Sequence, residues 1–405
     1  MFTRFMQDRS GNIAIIFALF IVAIMTVSGL AIDLQRSISA KSEIQAALDA
    51  ASLAGAKAVH ATAGDKKKVI AEAQAMFNAD IKFSNSALNC PAPTITPDLD
   101  NGRVVASANC ILPTVFGGLF SMEKMSIKAS STAAVQVSNL DLAMMLDVSG
   151  SMSGSKIADL KTAAQDAIDI LITPYSKDRV RIAFNTYATA VNVGDYAEAV
   201  KGDNYDKDSK QKTCVTERSG IAKFKDDAPK SGKELTEISK STDGKAMSCP
   251  DSSLEPLTSK ADHLKTQIGK LNANGWTAGH LGIAWAWYLI SPDWESIWPA
   301  ASKPLAYKKA DTIKAVILMT DGEFNTYYQS GQGNSVKQSK KLCENMKKQG
   351  VIVYAVAFEA PTAGKNVLKA CASSEDHFYD AKNGTQLKQA YANIASQLTN
   401  LRIAK

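Results

Sequence analysis

The sequence predicts an α/β protein, a doubly wound domain with a mostly parallel sheet, preceded by a transmembrane helix and a small α+β region. From Leu140 onward, apolar strand-like runs alternate with helical runs, the pattern of a sheet with helices on both faces. Two of those runs, Ala315-Val316-Ile317-Leu318-Met319 and Val351-Ile352-Val353-Tyr354-Ala355-Val356, are almost continuously apolar, as doubly covered strands are. Near the amino end, Ile13 to Ile32 is mostly apolar and no charge falls between Arg9 and Asp33. As a helix that run is about 30 Å long, enough to span a bilayer.

A chain of 405 residues, 45% hydrophobic and 21% charged, has room for two or three domains. The net charge of +6 is modest and its lysines are interspersed with acids, so a nucleic-acid stripe is not indicated. Four His, none near another in sequence, argue against a His-based metal or acid/base centre.

The chain is expected to divide into a cytoplasmic amino terminus at 1–11, a membrane helix at 12–32, a periplasmic Ala-rich helix with a small α+β region at 33–138, and the α/β domain at 139–401. Arg4 and Arg9 precede the apolar run and place the amino end inside, although Asp8, Arg36 and Lys41 oppose that bias. A cleaved signal peptide is the rival reading, but its apolar core is usually only about 7–15 residues long. After Asp33 the helical pattern continues to about Ala63, with Ile38, Ile44, Ala47, Leu48, Ala51, Leu53 and Ala54 near one side. Gly64 interrupts it and Lys66 to Asn78 resumes it. Short β-like runs follow at Arg103 to Ala108 and Ser126 to Val137.

Six cysteines fall in pairs by region, Cys90 with Cys110, Cys214 with Cys249, and Cys343 with Cys371. An even count without Cys-x-x-Cys or Cys/His spacing points to disulfides in an oxidising compartment such as the periplasm. Regional proximity favours those three pairs but leaves other connectivities open.

The stretch Asp8-Arg9-Ser10-Gly11-Asn12-Ile13-Ala14-Ile15-Ile16-Phe17-Ala18-Leu19 resembles the amino terminus of TadE/TadG-like proteins of the tight-adherence (Tad, or Flp) pilus apparatus. Gln45-Ala46-Ala47-Leu48-Asp49-Ala50-Ala51-Ser52-Leu53-Ala54-Gly55-Ala56 is similar to the family's Ala-rich stretch. Processed pilin-like members carry a Glu five residues after the cleaved Gly, where this chain has Ile16. The resemblance implies a bitopic inner-membrane protein serving pilus assembly, with a generic membrane anchor as the plainer alternative.

In the α/β region, strands are expected at Asp141 to Leu146, Arg179 to Thr186, Ile313 to Thr320, Val351 to Phe358 and His377 to Tyr379. Helices fit Lys156 to Ile172, Ser259 to Leu271, Ala278 to Ile290, Ser335 to Gln349 and Thr385 to Leu401. Between them, about 201–258 is rich in Lys, Asp, Ser and Gly and holds Cys214 and Cys249. A structureless loop of that length is unusual, so a disulfide-tied insertion is expected, read as a solvated decoration in preference to a lid.

Asp147-Val148-Ser149-Gly150-Ser151 leaves the carboxyl end of the first of these strands, where open α/β sheets place ligands. One carboxylate and two hydroxyls make an oxygen-only cluster suited to a hard cation. Asn274-Gly275-Trp276-Thr277-Ala278-Gly279 adds Thr277, and Met319-Thr320-Asp321-Gly322-Glu323 adds Asp321. In this order and spacing the three loops resemble the metal-ion-dependent adhesion site (MIDAS) of von Willebrand factor A (vWA) domains. That resemblance implies Mg²⁺, with Mn²⁺ or Ca²⁺ as alternatives. It also implies direct ligation by Ser149 and Ser151, ligation by Thr277 directly or through water, and Asp147 and Asp321 acting mainly through water. Neutral hydroxyls around the cation would leave it receptive to a partner's carboxylate.

Trp276, Glu323 and Asn325 are candidate partner contacts beside that site, the last two read as solvated loop residues by default. All five Trp lie between 276 and 298; helical spacing assigns Trp285 and Trp287 to core and leaves Trp294 and Trp298 open. His280 is the one acid/base side chain close to the cluster in sequence, and it reads as a first-turn helix residue. The expectation is therefore a non-enzymatic, periplasmic, membrane-anchored protein that grips a protein partner, with no nucleic acid and no small-molecule substrate. A surface-displayed adhesin for host or matrix protein is the alternative. Metal-dependent hydrolysis is a distant third.

Overall fold

The structure, a computed structural model, describes residues 11–62, 64–84, 88–99, 102–134, 138–174, 176–230 and 232–404. Arg4, Asp8 and Arg9, on which the expected orientation rests, lie outside the described residues. The chain forms two compact units, Met1–Gln136 and Val137–Lys405.

The first unit is built on helix α1, Gly11–Ala61, followed by α2, Lys66–Ser84. Gly64, at a φ of 74° that side chains rarely adopt, reverses the chain between them. The apolar run and the Ala-rich stretch are thus one unbroken helix, about 77 Å long at 1.5 Å per residue. The part from Ile16 is long and apolar enough to cross a membrane. Strands β1 (Thr94–Asp98), β2 (Arg103–Pro113) and β3 (Lys124–Ala134) form an antiparallel sheet in that order. β2 alternates strictly, burying Val104, Ala106, Ala108, Cys110 and Leu112. This face packs on Ala40, Ile44, Ala47, Leu48 and Ala51 of α1 and on Val69, Ala73 and Phe77 of α2. Cys90 and Cys110 form a disulfide that ties the segment after α2 to β2.

The second unit runs β4 (Asn139–Asp147), α3 (Ser155–Leu171), β5 (Val180–Tyr187), β6 (Val191–Asn192), the short α4 (Ala197–Lys201), β7 (Cys214–Val215), β8 (Glu255–Thr258), α5 (Ala261–Gly269) and α6 (Gly279–Ile290). β9 (Thr312–Thr320), α7 (Ser335–Lys348), β10 (Ile352–Phe358), α8 (Thr362–Cys371), β11 (Phe378–Ala381) and α9 (Gly384–Ala404) follow. The six-stranded sheet has the order β11-β10-β9-β4-β5-β8, parallel except for the edge strand β8. It is the doubly wound sheet the sequence predicts, with helices on both faces. β4 shows why both faces are apolar. Leu140, Leu142, Met144 and Leu146 pack with α3, α5 and α9, while Ala143 and Met145 pack with α6, α7 and α8.

Two features depart from the sequence expectations. β1, β6, α4, β7, β8 and α8 are elements beyond those expected. The insertion at about 201–258 is also no solvated decoration, since Val215, Leu235, Leu254 and Leu257 enter the core beside α6. Its Lys201, Glu217, Arg218, Lys223 and Asp226 are buried as well. Cys214–Cys249 and Cys343–Cys371 are the two disulfides of this unit.

Helix α6 is buried along its whole length. A helix apolar on every side needs cover on every side. The sheet covers one flank, and the insertion with the segment through Trp298 covers the other. Trp294 stacks on Tyr288 with centroids 4.2 Å apart, and the Arg218 guanidinium lies 5.5 Å from the Tyr288 ring and 5.8 Å from the Trp294 ring. Trp294 and Trp298 are buried alongside Trp285 and Trp287, leaving Trp276 alone exposed among the five, at 52%.

Candidate functional site at the strand ends

Parallel strands β4 and β9 are neighbours, so the loops leaving their carboxyl ends meet. β4 delivers Asp147 fully buried, and the turn Gly150–Met152 folds Ser149 and Ser151 back toward it. Ser149 N–H donates to Asp147 Oδ1 at 2.8 Å. Tyr187 and Thr320, the last residues of β5 and β9, donate their hydroxyls to Asp147 Oδ2 at 2.8 and 2.6 Å. Three donors from three strand ends thus lock the carboxylate. Tyr187 stands level with Asp147 in the β4–β5 register, which is why its hydroxyl reaches.

Ser149 Oγ and Ser151 Oγ are 3.1 Å apart, and Ser151 Oγ donates to Asp321 Oδ1 at 2.6 Å. Thr277 closes the group from the third loop. A Cβ built on Gly322 would lie 3.1 Å from Thr277 Oγ1 and 3.8 Å from Ser151 Oγ, which places both hydroxyls around this glycine and makes any larger residue there a tight fit. The Thr277 loop is held by Gly150 N–H to Gly275 O at 2.8 Å and by Asn274 N–H to Val148 O at 2.7 Å. All five residues named from the sequence therefore converge.

Burial pushes the Asp147 carboxyl above the ordinary aspartate range, and the charge of Asp321 pushes it further. Among the described residues, no group of three or more His, Cys, Asp or Glu side chains is arranged to hold a metal. A hard cation here would be held by Ser149, Ser151 and Thr277 hydroxyls backed by two carboxylates, a donor set of the all-oxygen kind such ions take. One residue with no role from sequence already supplies positive charge. Lys156 Nζ lies 2.9 Å from Asp321 Oδ2 and 3.6 Å from Glu359 Oε2. Burial, the largest single influence, disfavours that ammonium, but the bond and charge of Asp321 and those of Glu359 together outweigh it and hold its pKa above the ordinary lysine value.

Glu323 and Asn325 are exposed on the loop beyond Asp321, and Asn325 N–H donates to Thr277 O at 3.3 Å. Trp276 carries Lys245 of the insertion over its ring, 4.4 Å from the centroid. The insertion also fastens this loop from beneath. Glu217 Oε1 accepts from Tyr328 N–H at 2.7 Å and from His280 Nε2 at 2.8 Å, and its Oε2 accepts from Lys223 Nζ at 2.9 Å. His280 Nδ1 meets Ser335 Oγ at 2.7 Å. Serine, histidine and glutamate in line resemble a hydrolase relay, yet all three are buried. Their bonds join α6, α7 and the insertion, which gives His280 a packing role, as its first-turn position implies.

Residues 11–58 match the family described as putative Flp pilus-assembly TadE/G-like, and residues 300–393 match the von Willebrand factor type A domain. The chain therefore carries a TadE/G-like amino-terminal segment and a vWA domain. No curated protein matches it in sequence. Among solved structures, the vWF domain of the type V pili tip protein Mfa5 from Porphyromonas gingivalis is 12% identical, over 66% of this chain and 97% of that one, with a TM-score of 0.42. The pilus adhesin SpaC from Lactobacillus rhamnosus GG is 10% identical over 78% of this chain and 34% of its own, with a TM-score of 0.42. The PilB minor pilin from Streptococcus sanguinis is 10% identical over 78% and 79%, with a TM-score of 0.39.

Proposed function

We propose that this chain is a non-enzymatic component of Tad (Flp) pilus assembly or anchoring. It is held in the inner membrane by α1 with its bulk in the periplasm, and it grips a protein partner through a divalent cation at the vWA strand ends. The observation that carries this reading is the convergence of Ser149, Ser151 and Thr277 hydroxyls with Asp147 and Asp321 carboxylates. Mg²⁺ is the favoured ion, since it takes oxygen ligands and keeps exchangeable positions. Asp147 already accepts three hydrogen bonds, which suits a charge placed behind the hydroxyls. A cation ringed mainly by neutral oxygens would retain affinity for a carboxylate from another chain. The TadE/G-like match over the apolar helix supports the pilus context. Trp276, Glu323 and Asn325, exposed beside the site, would touch the partner around that contact.

The test uses the full chain in detergent, stripped with EDTA and followed by tryptophan fluorescence, which reports the vWA unit because all five Trp lie there. Mg²⁺ at about 100 times its Kd stabilises by about 2.7 kcal/mol, a rise in Tm of roughly 5–10 °C. The rise is expected to vanish in Asp321→Ala. Partners cross-linked in the cell envelope should be recovered with the intact protein but not after EDTA or with Asp147→Ala. Equal recovery in all three overturns the metal-bridged reading.

A further inference from the structure

We propose that the β2–β3 loop of the first unit is a second membrane-contacting element, seated in the outer lipid interface beside α1. The proposal rests on the reading of α1 as a membrane span. Among described side chains of α1 before Ala40, the buried positions are Gly29 and Asp33, one turn apart on the same face. What buries them is this loop. Asp33 Oδ1 accepts the N–H of Val115 at 2.8 Å, and Oδ2 accepts those of Phe116 and Gly117, each at 2.8 Å. Arg36 Nη1 reaches both Asp33 Oδ1 at 3.4 Å and Pro113 O at 3.2 Å. The Phe116 side chain packs directly against Gly29, where an added Cβ would sit 2.6 Å from its Cγ.

The depth of that contact is set by the helix. Gly29 lies about 5 Å below Ile32, the outer end of the apolar run, so Phe116 reaches inside the span rather than above it. From Pro113 to Met122 the loop carries no charge and reads Pro-Thr-Val-Phe-Gly-Gly-Leu-Phe-Ser-Met, before Glu123 and Lys124. Val115 is 60% and Met122 53% exposed, and Leu30, Ile32 and Leu34 of α1 are exposed as well. Backbone entering lipid must have its polar groups satisfied internally. Besides the three amides on Asp33, Thr114 N–H donates to Glu123 O at 3.1 Å and Met122 N–H to Gly117 O at 3.0 Å. An uncharged apolar tip, bonded to itself and pinned to a membrane helix below the lipid edge, fits a bilayer interface rather than water.

The test places nitroxide labels, one at a time, at Val22→Cys, Val115→Cys, Met122→Cys and Glu72→Cys in the full chain. The native cysteines among the described residues are all disulfide-bonded. In vesicles of phosphatidylethanolamine and phosphatidylglycerol, collision with oxygen is compared with collision with a water-soluble nickel chelate. The expected oxygen-to-nickel ratio at 115 and 122 lies between the high value at 22 and the low value at 72. Ratios at 115 and 122 equal to that at 72, with 22 still deep, overturn the loop proposal and leave the span intact. An aqueous ratio at 22 overturns both. Labels at 115 and 122 shielded from oxygen and nickel alike would mean cover by protein, a second copy included, and also overturn it.

Discussion

Replacing Glu217 by Gln tests whether the insertion is built into the vWA unit. Burial alone would raise this carboxyl, but the hydrogen bond and charge of His280, the Lys223 ammonium and the Tyr328 N–H together hold it at about 2 against an ordinary 4.5. That difference corresponds to about 3 kcal/mol of stability. The loss of a buried pair partner falls in the same range, because Lys223 would remain buried and unpaired. Glu217→Gln is thus expected to lower the Tm of the tryptophan-reported transition by roughly 6–12 °C. The pH dependence has a definite sign. A depressed folded pKa contributes fully above the unfolded value and is lost as pH falls through the folded one. The gap between wild type and variant should therefore be full above about pH 4.5 and close toward pH 2. A neutral-pH loss below about 1 kcal/mol, or a gap that persists unchanged at pH 2.5, would refute the reasoning.

Lys156→Met removes an ammonium 2.9 Å from Asp321 Oδ2 that competes with any cation there, and should tighten Mg²⁺ binding roughly tenfold by calorimetry, about 1–2 kcal/mol. Unchanged or weaker binding would mean that the lysine supports the site rather than opposing it. Gly279→Ala would place a Cβ 2.2 Å from Phe324 Cε1, in the loop that follows Asp321. Overpacking of that kind costs about 1–3 kcal/mol, and a denaturant midpoint equal to wild type would show that Phe324 can move aside.

The parts of this molecule legible in the sequence are those whose chemistry is local. β4, β9 and β10 announce themselves as uninterrupted apolar runs because helices cover both faces. β8, Glu255-Pro256-Leu257-Thr258, does not, since an antiparallel edge strand needs neither alternation nor freedom from proline. The five oxygen donors were legible because each sits in a short loop with a recurrent spacing. Tyr187 and Thr320 were not, because their contact with Asp147 depends on which strands become neighbours and in what register. The insertion misled for a further reason. A segment rich in Lys, Asp, Ser and Gly reads as solvated, and composition cannot show that Glu217 and Lys223 neutralise each other in the interior.

The strand order has a consequence in time. β4 is flanked in the finished sheet by β5, which follows closely, and by β9, which is made some 170 residues later, as the pairing of Met145 with Leu318 records. A chain emerging from its amino end can fold the first unit early, while half of β4 waits without a neighbour. Contacts so distant along the chain form slowly. Asp147 acquires its Thr320 bond only when β9 arrives, and Asp321 comes with it. Any capacity to hold a cation therefore switches on late in synthesis, as a step rather than a gradual gain. A truncated or stalled chain ending before β9 would carry the whole first unit and no grip.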